Sequence, residues 1–124
     1  MKRIIKLFVS QPMNGLTPEQ ITENRELAID YAKNELHEVL NEEFEVEVID
    51  SYIKEAAPES RMSDHINGVN VPMWYLSKAI ELLAGADAII IAKGGSEARG
   101  CKIEREIADQ YGIEFLIEEH DEDK

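Results

Sequence analysis

The run Ala88-Ile89-Ile90-Ile91-Ala92, closed by Gly94-Gly95-Ser96 and followed by a helical pattern from about 100 to 111, constrains the fold more than any other stretch. Three β-branched residues in succession, flanked by alanines, leave no polar side, as in a strand covered on both faces. Glycines end the run, and the chain then turns into a helix. In open α/β sheets this strand–turn–helix junction is where small ligands sit.

The rest of the chain repeats that grammar. Ile4-Ile5-Lys6-Leu7-Phe8-Val9 reads as a buried strand, and Pro12 with Asn14-Gly15 marks a turn. Thr17-Pro18-Glu19-Gln20 is a helix start, with Thr17 as cap, Pro18 at the first helical position and Gln20 placed for a capping box. Ile21, Ala28, Ala32, Leu36 and Leu40 line one face of that helix, with Leu27, Tyr31 and Val39 beside them, to about Leu40. Phe44-Glu45-Val46-Glu47-Val48-Ile49 alternates apolar and acidic residues, which predicts a strand with a wet side near a sheet edge. Residues 50–70 read as a long, partly irregular segment, a length that is often functional inside a small domain. A second helix is predicted from Pro72 to Leu83 with Leu76, Ala79, Ile80 and Leu83 inward, and a fourth strand over 114–117. Strands alternating with helices predict an α/β three-layer sandwich, flavodoxin-like or Rossmann-like, with a parallel sheet of four to five strands and right-handed crossovers.

At 124 residues the chain fits one domain, taken as 1–117 with an acidic tail at 118–124. Its net charge of −13 opposes binding to a nucleic-acid polymer, although a local nest of N–H groups can still hold an anionic small molecule. No apolar run approaches membrane-span length, and the basic start Met1-Lys2-Arg3 precedes only a short apolar stretch, so neither a membrane partner nor a signal peptide is expected. A single cysteine, Cys101, fits a cytoplasmic location. Cys101 and the three histidines, His37, His65 and His120, lack metal-ligand spacing, so no metal and no cofactor is expected.

Two segments carry residues suited to chemistry. The loop Ser10 to Gly15 follows the first strand; Ser10, Gln11 and Asn14 offer polar side chains, Met13 sits among them, and Gly15 tolerates positive φ. It reads either as a cradle for a phosphate or sugar or as an ordinary strand-to-helix turn. Neither the phosphate-binding Gly-Lys-Ser/Thr pattern nor the dinucleotide Gly-x-Gly-x-x-Gly pattern is present. In the second segment, Gly94 and Gly95 permit close backbone approach, Ser96 can donate to an anion, and Gly100 opens the helix. Glu104 falls near the helix start, where the dipole favours an ionised carboxylate, and Ile103, Ile107 and Tyr111 mark the expected buried stripe. An ionised carboxylate in a cleft can act as a nucleophile in glycosidic chemistry, or it can simply serve the dipole. Trp74 and Tyr75 read as a stacking platform for a base or as core packing. Cys101 reads as a small apolar residue.

These motifs resemble a known family. Leu7 to Gly15, LFVSQPMNG, is similar to the Y-I-S-G-P-M-T-G opening of small phage-associated proteins of the nucleoside 2-deoxyribosyltransferase-like superfamily. Ala86-Asp87-Ala88-Ile89-Ile90-Ile91 resembles that superfamily's alanine–aspartate strand. Ser96, Gly100, Glu104, Ala108 and Gly112 resemble its S-x-G-x-x-x-E-x-x-x-A-x-x-x-G pattern, with extra residues between Ser96 and Gly100. The resemblance implies a glutamate that attacks C1′ of a deoxyribosyl group and expels the base, the sugar passing to another base or to water. Glu104 matches that nucleophile, Ser10, Gln11, Asn14 and Gly15 match the loop around the sugar or 5′-phosphate, and Ser96 with Gly100 matches the second phosphate-side loop. It also implies a homo-oligomer with a nucleoside or nucleotide as its small-molecule partner.

Two departures qualify it. Active relatives often carry an aspartate eight residues before the strand's aspartate, where this chain has Ala79, and the first-loop arginine of the nucleotide hydrolases is missing. Three functions therefore compete: N-glycosidic transfer or hydrolysis on a deoxynucleoside or its 5′-monophosphate, nucleotide sensing or sequestering without catalysis in a phage or prophage accessory protein, and a structural or partner-binding domain whose pocket is vestigial.

Overall fold

The computed structural model describes residues 2–13, 15–49 and 70–119. Asn14 and the segment 50–69 lie outside the described residues, so the roles expected of Asn14 and of that segment are not addressed below. In chain order the elements are β1 (Arg3–Ser10), α1 (Pro18–Val39), β2 (Phe44–Ile49), α2 (Val71–Leu83), β3 (Ala88–Ile91), a single 3-10 turn (Gly95–Glu97), α3 (Arg99–Gln110) and β4 (Phe115–Glu118).

The four strands form one parallel sheet in the order β2-β1-β3-β4. β1 pairs with β2 from Arg3↔Phe44 to Phe8↔Ile49 and with β3 from Leu7↔Ala88 to Ser10↔Ile91. β2 is an edge strand, as its alternation predicts, with Glu45 and Glu47 exposed. The chain leaves β1 towards one edge and β3 towards the other. The carboxyl ends of these adjacent central strands therefore form a topological switch point, where the crevice of an open α/β sheet lies.

The two faces of the sheet are separate cores. On one, Ile5, Leu7, Val9, Ala88 and Ile90 pack against Ala28, Ala32 and Leu36 of α1. On the other, Phe8, Ile89 and Ile91 meet Leu83 of α2 and Cys101 and Ala108 of α3. Strand side chains alternate between faces, so odd positions of β1 point to α1 and even ones to α2 and α3. Helices cover both faces, giving the three-layer, flavodoxin/Rossmann-like sandwich.

Local signals set the helix starts. Thr17 accepts from the Gln20 N–H at 3.1 Å and the Gln20 side chain accepts from the Thr17 N–H at 2.9 Å, closing the capping box of α1 with Pro18 next in line. Asn70 caps α2 by accepting from Met73 N–H at 3.1 Å. Asp87 accepts from the Lys6 N–H at 2.9 Å while its own N–H donates to the Lys6 carbonyl at 2.9 Å. The aspartate before β3 thus fixes that strand's register on β1.

Three expectations are corrected. In α3 the buried side chains are Cys101, Glu104 and Ala108, whereas Ile103 is 37% and Tyr111 84% exposed. Leu27 and Val39 of α1 are exposed as well. Glu118, assigned by sequence to the tail, belongs to β4, and Glu119 donates its N–H to the Ile91 carbonyl and accepts from the Lys93 N–H. No helix of the described residues is long and apolar enough to cross a membrane.

Candidate functional site

Ser10 is the last residue of β1 and has the even parity that aims it at α3. There its hydroxyl donates to Glu104 Oε1 at 2.6 Å. Ser10 is 1% and Glu104 9% exposed, so this is a buried polar pair at the carboxyl edge of the sheet. Glu104 is the sixth residue of α3, a turn deeper than the helix-start position expected of it. Burial pushes its carboxyl above the ordinary glutamate value, and the Ser10 hydrogen bond pulls partly back. Desolvation thus opposes the ionised form that the helix dipole favours.

No buried side-chain oxygen or nitrogen among the described residues lacks a hydrogen-bond partner. Ser10 is the one described donor to Glu104 and takes a single oxygen. The other oxygen has no donor among the described residues, and the Glu104 side chain lines a groove of about 990 Å³ formed from β1, α2 and α3. That volume suits a nucleotide-sized ligand. Cys101, three residues before Glu104 on the same helix face, lines the groove too. Burial pushes its thiol up, the Ser10 hydroxyl opposes the shift and the Glu104 charge adds to it. A thiol held protonated in this way is a poor nucleophile.

Gly94 adopts φ 85°, the left-handed conformation that lets the chain reverse from β3 into the 3-10 turn. At Gly95 a Cβ would lie 2.7 Å from Ile91 Cγ2, so only glycine lets this turn rest directly on β3. The turn delivers Arg99 and Gly100 to the groove wall as the first residues of α3. Arg99 is exposed and makes no hydrogen bond or ion pair with any described residue. Opposite, the groove is lined by Pro12 and Met13 after β1 and by Tyr75, Leu76 and Ala79 of α2, a largely apolar wall.

The residues singled out from sequence separate into three groups. Gln11, Met13, Gly94, Gly100 and Glu104 line the groove, and Ser10 bonds Glu104 beneath it. Gly95 shapes the turn from below. Gly15, with φ 80°, Ser96 and Trp74 are not part of the groove lining. Gln11 donates its side-chain N–H to the Ile21 carbonyl at 3.1 Å, so part of its amide tethers α1. Trp74 stands edge-on to Tyr75 at 5.0 Å with Lys78 over its ring, and it is Tyr75 that faces the groove.

Sequence reasoning missed Arg99. Its signal is its place between the glycine turn and the helix that bears Glu104. A basic residue at a helix start opposes the helix dipole, so the helix itself gains nothing from it. The chain matches no family model, no curated protein and no solved structure.

Proposed function

We propose that the protein acts on the N-glycosidic bond of a deoxynucleoside or deoxynucleoside 5′-monophosphate, transferring or hydrolysing it with Glu104 as nucleophile. The observation that carries this reading is a buried carboxyl held through one oxygen by Ser10 and lining a nucleotide-sized groove at the switch point of the sheet. In this reading C1′ of the sugar sits over the open oxygen of Glu104, the base lies against Tyr75 and Leu76, and the 5′ end lies towards Arg99 and Gly100. The Ser10 hydrogen bond favours the ionised form that attack requires and fixes the carboxylate in one orientation. The resemblance of the LFVSQPMNG loop and of the Ser96–Gly112 pattern to the nucleoside 2-deoxyribosyltransferase-like superfamily supports the same assignment.

The test is incubation with deoxynucleosides and their 5′-monophosphates, with and without a second base, followed by chromatography of the bases. Base release or exchange that is lost in Glu104→Ala is the expected result. No release or exchange by the parent protein overturns the proposal.

Ala79 favours a second reading. It lines the groove where active relatives place an aspartate, and a methyl group cannot orient a sugar hydroxyl. In that reading the protein is a phage or prophage accessory protein that senses or sequesters a nucleotide. Calorimetry then shows nucleotide binding that survives Glu104→Gln, with no turnover. Both readings place the protein in the cytoplasm as a homo-oligomer, the latter checked by light scattering.

A further inference from the structure

Among the described residues Glu104 has a hydroxyl for a partner but no cation. Ser10 and Cys101 are its polar neighbours, and among the described residues no lysine, arginine or histidine pairs with it. An ionised carboxylate that is buried without a counter-charge is unfavourable, and the cost is offset by any positive charge brought into its cavity. The same groove carries at Arg99 a guanidinium that pairs with no described residue and suits a phosphate. Among the described residues the groove therefore carries a carboxyl and a guanidinium on one helix, neither with a partner of opposite charge.

The supply of acids points the same way. A neutral purine or pyrimidine base leaves a sugar well only when it is protonated as the bond breaks. Among the described residues near Glu104 the groove offers Ala79 and a Cys101 thiol made less acidic by burial. Glu97 and Tyr75 also line the groove and are exposed.

We infer that the groove selects a mononucleotide whose base is cationic at the glycosidic nitrogen, an N-glycosylpyridinium 5′-phosphate. The inference rests on the N-glycosidic reading above and names the substrate class for that site. The pyridinium ring supplies the charge that Glu104 lacks, and the phosphate takes Arg99. Attack by the free oxygen of Glu104 forms the carbon–oxygen bond to C1′ as the carbon–nitrogen bond breaks. The electron pair of the broken bond goes to the ring nitrogen, which leaves as a neutral pyridine without needing a proton. Water then attacks C1′, the ester oxygen returns to Glu104 as carboxylate, and one proton passes to solvent.

Nicotinamide mononucleotide and its dihydro form separate charge from shape, because reduction removes the ring's positive charge and keeps the sugar and phosphate. By calorimetry, the oxidised form binds at least tenfold more tightly, and in Glu104→Gln the two affinities come within about twofold. Chromatography shows release of the pyridine base from the oxidised form by the parent protein. Equal affinities for the two forms in the parent, or a preference that survives Glu104→Gln, overturn the inference. Base release from deoxynucleoside monophosphates without binding of nicotinamide mononucleotide overturns this inference alone and leaves the N-glycosidic reading standing. Neither binding nor base release with any of these compounds overturns both.

Discussion

Glu104 concentrates the chemistry of this chain, because its protonation is coupled to folding. Its folded-state value is raised by burial, so in the window between the unfolded value, about 4.3, and the raised value, the folded chain keeps a proton that the unfolded chain has lost. Stability contributed through this group therefore falls as pH rises through that window, the reverse of a salt-bridged carboxylate. Glu104→Gln cannot ionise and removes that slope. The variant's urea midpoint, measured against the parent, should rise with pH from about 4.3 and level off above the raised value. A difference that stays flat from acid to neutral pH would show that the carboxyl is not desolvated in the folded protein. Ser10 opposes the slope, since its hydroxyl favours the charged form. A bound cation should reduce it further.

At the scale of elements, the strands and helix starts were legible because their signals are local. The alternation in 44–49, the apolar run at 88–92 and the Thr17–Gln20 box each lie within a few residues and appear in the structure where they were read. The face of α3 was not legible. Apolar periodicity picks out Ile103, Ile107 and Tyr111; Ile107 packs partly buried against the core, but the buried side chains are Cys101, Glu104 and Ala108. The cause is close approach. Cys101 Cβ lies 3.4 Å from the position a Cβ on Gly95 would take, and a small side chain fits so near the turn where a larger one does not. A polar Ser10 at the strand end then gives Glu104 a partner, and nothing in the sequence near residue 104 announces a residue 94 positions away. The glycines of this region should accordingly respond in opposite directions. Gly95→Ala should cost about 1–3 kcal/mol through overpacking against Ile91. Gly100→Ala, within α3 and with nothing within 4 Å of its Cβ position, should gain about 0.5–1 kcal/mol. Urea titration of the two variants checks both signs, and a neutral Gly95→Ala would mean that the turn does not rest on β3.

For the molecule as a whole, 26 acidic side chains against 13 basic ones make charge repulsion a standing cost of compactness. The pairs Arg3–Glu114 and Arg105–Glu118 tie the start of β1 and the middle of α3 to the region of β4, but both are on the surface and contribute little. Repulsion among many exposed carboxylates reaches over roughly a Debye length, which shrinks from about 30 Å at 0.01 M salt to about 8 Å at 0.15 M. Sodium chloride should therefore stabilise the fold, by about 1 kcal/mol or roughly 4 °C in melting temperature for a domain of this size, with most of the gain below 0.2 M. A melting temperature that falls with salt would mean that the ion pairs outweigh the net charge. The same field opposes the approach of an anionic nucleotide, so a ligand held by Arg99 should associate faster as salt is added over this range, while its contact with Arg99 weakens. An association rate that rises while the dissociation rate also rises is the signature of a local positive site in a negative protein, and stopped-flow binding across the salt series reads both rates.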